Sequence, residues 1–177
     1  MRKIAIVICL LISSVLLHAS DYPKSIQKKI DRTLVKLFPK KLVELKDVDF
    51  SDTLISTYSS VRNVKVSQLK ADESELGYAC FASSKGKNDY FDYMVIFDTD
   101  LLIKKVVVLV YRSTYGGEIM SRSWLKQFIG KSKGESMEMD KDIDGISGAT
   151  LSAPSITQGV KELSLLISDM KLKIVSN

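Results

Sequence analysis

The residue types best suited to chemistry are concentrated in one short stretch, where Asp144, Ser147 and Thr150 follow one another at intervals of three residues. Glycines and other small residues lie between them, so the backbone there can turn sharply and approach a ligand closely. A serine on such a turn can act as a nucleophile only when a base lies beside it. We call this stretch the motif loop; it comprises Asp144, Gly145, Ile146, Ser147, Gly148, Ala149, Thr150, Leu151 and Ser152.

The motif loop leads into the clearest helical pattern of the sequence. Pro154 suits a first helical turn, because the amide that it lacks would have no intrahelical acceptor. Apolar residues then recur at i, i+4, i+7, i+11 and i+14, which predicts one stripe of an amphipathic helix. Unpaired amides and the helix dipole at the start of this helix would favour an anion beside the motif loop. The stripe consists of Ile156, Val160, Leu163, Ile167 and Met170.

Residues 144–150, Asp-Gly-Ile-Ser-Gly-Ala-Thr, resemble position by position the flavinylation motif of the FMN-binding domain family. That family includes the C subunit of the sodium-pumping NADH:quinone oxidoreductase, the G subunit of the Rnf complex and many small exported bacterial proteins. The resemblance implies that a flavin transferase takes FMN from FAD and joins its phosphate to the hydroxyl of Thr150. It also implies that Asp144 is the acid the transferase requires. Ser147 is then expected to hold the loop or to hydrogen-bond the phosphate.

The loop at 113–119 and the short helix expected after it carry a second part of the resemblance. Family members often have an acidic residue, a threonine and glycines here, then a glutamate and an aliphatic residue. Ser113 departs from the common acidic residue, and Tyr115 stands where the respiratory subunits have proline. We expect Tyr115 to stack on the flavin ring and Trp124 to be a core anchor. The matching residues are Thr114, Gly116, Gly117, Glu118, Ile119 and Trp124.

Both loops together supply the predicted cofactor-binding residues, while no catalytic residue and no metal ligand is predicted. Plainer interpretations exist for several of them. Thr150 can hydrogen-bond local backbone and Asp144 can be a turn residue, and Tyr111 can belong to the core or contact the flavin. The predicted FMN-binding residues are Asp144, Gly145, Ser147, Gly148, Ala149, Thr150, Leu151, Ser152, Thr114, Tyr115, Gly116 and Gly117.

Composition excludes several other kinds of site. Residues 1–20 have a basic start, an apolar run and small residues at the end, which predicts a signal peptide, with an uncleaved anchor as the alternative. Beyond them the chain has one cysteine, Cys80, and no histidine. An internal disulfide, a Ser-His-Asp or Cys-His site and a Cys/His zinc site are therefore excluded. The net charge is +5 with scattered lysines, so no nucleic-acid partner is expected.

The remaining pattern predicts a single α+β domain, with a curved antiparallel sheet and flanking helices. A helix is expected over residues 22–38, and the valine-rich run 106–110 predicts a strand buried on both faces in the middle of the sheet. The segment 51–60 is ambiguous. Strands are expected near 42–48, 61–69, 76–83, 90–97 and 101–111. The predicted organisation is a signal peptide at 1–20, an N-terminal helix with short strands at 21–75, and an FMN-binding domain at 76–177.

The function implied by the resemblance is that of an electron carrier, exported to the periplasm or the outer face of the cytoplasmic membrane, with FMN covalently attached to Thr150. Its partners would be a flavin transferase during maturation and a membrane or periplasmic redox protein afterwards. One alternative is a subunit that binds FMN non-covalently or serves only in assembly. Another is an exported flavin-dependent reductase. A hydrolase built on Ser147 is disfavoured, because no histidine follows the predicted signal peptide to activate the serine.

Overall fold

The computed structural model describes residues 22–50, 52–133 and 136–175, so the predicted signal peptide lies outside the described residues. None of the helices in these ranges has the length and apolar character needed to cross a membrane. Two short 3₁₀ turns, Gly117–Met120 and Lys126–Phe128, flank the third helix. The elements in chain order are α1 (Lys24–Leu37), β1 (Glu44–Asp47), α2 (Asp52–Ser56), β2 (Arg62–Ala71), β3 (Ser74–Lys85), β4 (Tyr90–Phe97), β5 (Ile103–Val110), α3 (Arg122–Leu125) and α4 (Ser152–Val175).

The strands form one open antiparallel sheet in the order β1-β2-β3-β4-β5, so each strand pairs with its neighbour in sequence. Register shifts in the β2–β3 and β4–β5 pairs mark bulges, which bend and twist strands locally. The predicted α+β class with flanking helices is confirmed. Because β2 pairs with β3 along most of its length, residues 62–71 belong to the same sheet as the strands that follow.

One face of the sheet is covered by α1, which we call the α1 face. Ile30 and Leu34 of α1 are buried against it. The other side chains of this cluster are all apolar, so the contact is a simple hydrophobic one. They are Leu69, Ala79, Phe81, Met94, Ile96 and Leu109.

The opposite face, the α4 face, is covered by α4, by α3 and by the connections around them. The predicted apolar stripe of α4 is confirmed, since each of its five members is buried there. Cys80 is also fully buried on this face, and burial raises the pKa of its thiol. The sheet contributes, among others, Val66, Tyr78, Ala82, Phe91, Tyr93, Val95, Phe97, Val106 and Val108.

The prediction for the valine run was right about burial and wrong about position. Val106 and Val108 pack into the α4-face cluster, while Val107 and Val110 pack against the α1-face cluster. However, β5 lies at the edge of the sheet rather than in its middle. A continuous apolar run reports that both faces are covered, and helices cover both faces of this edge strand. The carbonyl of Val108 accepts a hydrogen bond from Nζ of Lys29 at 2.6 Å, which ties α1 to the edge strand.

Candidate functional site

The placement of α4 on the sheet is set by a close approach at Gly159. A Cβ at this position would lie 2.0 Å from the hydroxyl oxygen of Tyr93 and 2.7 Å from Oγ of Ser84. These two hydroxyls are buried and 3.0 Å apart, so they hydrogen-bond to each other beneath the helix. Burial raises the pKa of Tyr93, so its hydroxyl stays protonated. Glycine therefore lets α4 rest directly on a polar pair within an otherwise apolar face.

The start of the motif loop is fixed by its backbone. Nε1 of Trp124 donates a hydrogen bond of 2.7 Å to the carbonyl of Asp144. The amide of Asp144 in turn donates to Oε1 of Gln127 at 2.7 Å. With both backbone groups held, the exposed Asp144 side chain is presented to solvent. Trp124 is 6% exposed and packs edge-on against Phe128, so the prediction of a core anchor is confirmed and its indole NH has a second role.

The middle of the motif loop lies directly on the 3₁₀ turn Gly117–Met120. Gly148 has a φ of +87°, in the left-handed region that favours glycine. A Cβ there would lie 2.7 Å from Oε1 of Glu118, so even a methyl group would collide with the carboxylate. The backbone conformation therefore favours glycine, and any side chain there would have to displace the exposed Glu118 carboxylate.

The second predicted loop is joined to the start of α4 through Tyr111. Its hydroxyl donates to the carbonyl of Tyr115 at 2.6 Å and lies 2.8 Å from Oγ of Ser152, which is buried. Gly116 has a φ of +88°, and a Cβ there would come within 2.4 Å of the Tyr111 hydroxyl. The sequence left Tyr111 undecided between core and cofactor contact, and the structure shows it as the link between the two loops.

These contacts leave an open cleft of about 240 Å³ between the two loops, which we call the motif cleft. Thr150 is exposed in it. Tyr115 and Leu151 also line it, with 62% and 57% of their surfaces exposed. Nζ of Lys87 lies 5.0 Å from the centroid of the Tyr115 ring, a cation–π contact that holds the ammonium at the cleft. The lining is completed by Gly116, Gly148, Ala149 and Ser152.

The structure therefore brings most of the predicted binding residues to one place. Asp144, Gly145 and Ser147 belong to the same motif loop but do not line the cleft, and Thr114 and Gly117 flank it in the second loop. Lys87 was missed. It lies in the β3–β4 hairpin turn, and only the long-range packing of that hairpin beside Ser152 brings it near Thr150. The sequence showed a turn there, but nothing local pointed to a ligand.

The chemistry available in the motif cleft suits a phosphate ester. Thr150 and Leu151 directly precede α4. The amides of Ala153 and Ser155 donate to the carbonyls of Ala149 and Leu151, so the start of the helix acts on an anion mainly through its dipole and not, as expected, through unpaired amides. The helix dipole and the Lys87 ammonium both favour negative charge at this point. Exposed apolar surface on Tyr115 and Leu151 forms part of the cleft lining and can receive a flat ring. A phosphate joined to a large aromatic group fits this combination, and FMN has both parts.

A comparison with protein families agrees with this chemistry. Residues 86–164 match the model of the FMN-binding domain. The match begins in the β3–β4 turn, includes both loops of the motif cleft and ends within α4. No curated protein matches the chain.

Proposed function

Residues 86–164 of this chain belong to the FMN-binding domain family, and on that premise we propose that the protein is an exported flavoprotein with FMN covalently attached to Thr150. In this proposal it carries electrons in a membrane-associated or extracytoplasmic redox chain. The observation that carries the proposal is the position of Thr150. Its side chain is exposed in the motif cleft, directly before the start of α4 and with Lys87 among its neighbours in the lining.

Attachment is a phosphoryl-ester exchange at the Thr150 hydroxyl. A flavin transferase brings FAD, the threonine oxygen forms a bond to the phosphorus of the FMN half, and AMP leaves with the electron pair of the broken pyrophosphate bond. The hydroxyl proton is released to a base or to water. The threonine product is a phosphodiester with one negative charge, which the Lys87 ammonium and the start of α4 can stabilise.

The size of the motif cleft gives a physical reason for a covalent link. About 240 Å³ is below the roughly 300–1,000 Å³ of pockets that enclose small molecules. A cofactor as large as FMN would leave much of its surface outside such a cleft, and non-covalent affinity would be correspondingly weak. Outside the cytoplasm a dissociated cofactor is lost by diffusion, and a tether prevents that loss.

The protein's residues would then set the position and surroundings of the ring. FMN supplies the redox chemistry when it is bound. Tyr115 and Leu151 offer the exposed apolar surface nearest to Thr150. The Glu118 carboxylate lies against Gly148 of the motif loop and adds negative charge there. Because the cleft is open, the ring edge stays accessible to a membrane or periplasmic redox partner. The resemblance to particular respiratory subunits stays a prediction.

The experiment is an intact-mass measurement of the protein co-produced and exported with a flavin transferase. We expect wild type and Thr150→Ser to gain the mass of FMN less one water, because both keep a hydroxyl at the site. Thr150→Ala should gain nothing, while Ser147→Ala, which removes an exposed hydroxyl of the same loop, should be modified like wild type. An unmodified wild type that releases flavin on denaturation would instead establish non-covalent binding.

A further inference from the structure

A second cleft, of about 260 Å³, lies beside the first two turns of α4 and shares no lining residue with the motif cleft. Two cationic side chains, a tyrosine, serine hydroxyls and one amide line it, and none of its lining residues is acidic. We propose that this cleft, which we call the basic cleft, binds the phosphate or carboxylate group of a small anionic ligand. The residues that carry the argument are Arg62, Lys85, Tyr90, Ser60, Ser155 and Gln158.

The cations come together because three strands begin or end at the same place. Arg62 begins β2, Lys85 ends β3 and Tyr90 begins β4, and Lys85 is paired directly with Tyr90 in the sheet. Cζ of Arg62 and Nζ of Lys85 each lie 4.9 Å from the centroid of the Tyr90 ring. The ring attracts both cations, so two like charges are held beside the same side chain.

Within the part of the chain that the structure describes, no carboxylate neutralises these charges. Among the ion pairs of the described residues, neither Arg62 nor Lys85 takes part; Nζ of Lys85 donates only to the carbonyl of Asn88, at 3.1 Å. Arg112, which donates to the carbonyl of Tyr90, is by contrast paired with Asp92. Two positive charges in the lining of one cleft favour an anion, which can accept charge-assisted hydrogen bonds from either side chain.

The uncharged side of the basic cleft, which includes Ser60 and Gln158, is held in place by Glu162. Glu162 itself is 8% exposed. Its carboxylate accepts the amide of Ser60 at 2.9 Å and Nε2 of Gln158 at 3.1 Å. The hydroxyl of Ser84 donates to the Ser60 carbonyl at 3.2 Å. Ser60 and Gln158 are therefore held in place before any ligand arrives, and a preorganised wall loses little entropy on binding.

The proposal goes beyond FMN attachment and does not depend on it. The β3–β4 hairpin turn supplies one lysine to each cleft, Lys85 to the basic cleft and Lys87 to the motif cleft. The two lysines are both exposed and are separated by one residue. Lys85→Gln and Lys87→Gln thus remove the same charge from nearly the same surface, and they form a matched pair.

The test is a titration of the purified protein, produced without flavin transferase, followed by ¹H–¹⁵N correlation spectra. Sodium phosphate and sodium malonate are the probes, with sodium chloride at equal ionic strength as the reference. We expect saturable shifts of the Ser60, Arg62, Lys85, Ser155 and Gln158 amides with phosphate, malonate or both, and the stronger probe identifies the ligand group. Arg62→Gln and Lys85→Gln should each weaken binding about tenfold, as expected for a charge-assisted contact, and Lys87→Gln less than about twofold.

Two outcomes would overturn the proposal. In the first, chloride produces the same shifts as the probes, which is non-specific screening. In the second, the shifts centre on Thr150 and Leu151 and disappear in Lys87→Gln but persist in Lys85→Gln. That result would place the anion in the motif cleft, contradict a site at the basic cleft and leave the proposed attachment of FMN unaffected. Unchanged dispersion of the variant spectra shows that each variant is folded.

Discussion

The two faces of the sheet are covered by helices that pack in different ways. On the α1 face, Ile30 and Leu34 pack into a cluster of buried apolar side chains. On the α4 face, Gly159 brings the helix onto the hydroxyl pair of Tyr93 and Ser84. Apolar packing tolerates small shifts, whereas a hydrogen-bonded pair under a glycine fixes one position. Because Ser152, the first residue of α4, lines the motif cleft, we expect the α4 face to position the proposed site and the α1 face to contribute stability alone.

The largest loss of stability is expected on the α1 face, without an effect on the site. Ile30→Ala removes a side chain that is 1% exposed, and we expect it to lower the free energy of unfolding by about 2–5 kcal/mol. Urea denaturation measures this change. At a temperature where the variant stays folded, the fraction modified with FMN should equal that of wild type. A reduced fraction would show that α1 also positions the site.

A smaller loss of stability on the α4 face should be accompanied by a loss of modification. Gly159→Ala places a methyl group 2.0 Å from the Tyr93 oxygen, so α4 or the tyrosine must move. We expect a cost of about 1–3 kcal/mol, typical of overpacking, together with slower FMN attachment measured by intact mass over time. Gly159→Ala in a Tyr93→Phe background tests the cause, because removing the hydroxyl should restore part of both losses.

Loss of one hydrogen bond at the motif loop should cost still less stability but act on the site. Trp124→Phe keeps an aromatic ring against Phe128 and removes the donor to the Asp144 carbonyl. We expect unfolding to become easier by about 0.5–1.5 kcal/mol and attachment to slow, since the loop loses one anchor. Leu125→Ala serves as a control, because it damages the same short helix without touching Asp144. Unchanged attachment in Trp124→Phe would contradict the anchoring role.

The smallest expected effect concerns pH and a second contact of α4. Tyr58 donates to Oδ2 of Asp169 at 2.7 Å, and burial, followed by this hydrogen bond, raises the pKa of Tyr58 from 10.0 to about 12. Because the pKa of Tyr58 is raised in the folded state, its contribution to the free energy of unfolding is complete below pH 10.0. This contribution is lost as pH rises through about 12. Tyr58→Phe should therefore show a shallower fall in stability over this interval. Part of the fall in stability should remain in this variant, because the pKa of Tyr78 is also raised to about 12.

Much of the fold could be predicted because the local patterns were unambiguous. The stripe of α4 has helical spacing, and β4 was predicted with its observed bounds, Tyr90–Phe97. The short helix α2 was not predicted, since five residues carry too little periodicity to distinguish helix from loop. The edge position of β5 could not be predicted from its sequence either. The burial of its side chains depends on the helices that cover both faces of the sheet, and not on the number of strands with which it pairs.

The site could be predicted only where its residues follow one another closely in the sequence. The motif loop is continuous, so its small residues and hydroxyls indicated a binding site. Lys87 and Tyr111 come from other parts of the chain, and only the packing of the sheet against α4 brings Lys87 to the cleft and the Tyr111 hydroxyl to Ser152. Met137 lies in a polar segment of the sequence and yet is 2% exposed, because one apolar residue in a polar segment can fold back onto the core.

The central claim is that a single hydroxyl, that of Thr150, carries the cofactor, and peptide mass mapping tests it most directly. Tryptic cleavage after Lys141 and Lys161 gives the peptide 142–161, whose hydroxyl side chains belong to Ser147, Thr150, Ser152, Ser155 and Thr157. Fragmentation of this peptide from exported, transferase-matured protein should place the mass of FMN less one water on Thr150 alone. The same mass on Ser147, or an unmodified peptide from protein that still retains flavin, would contradict the account.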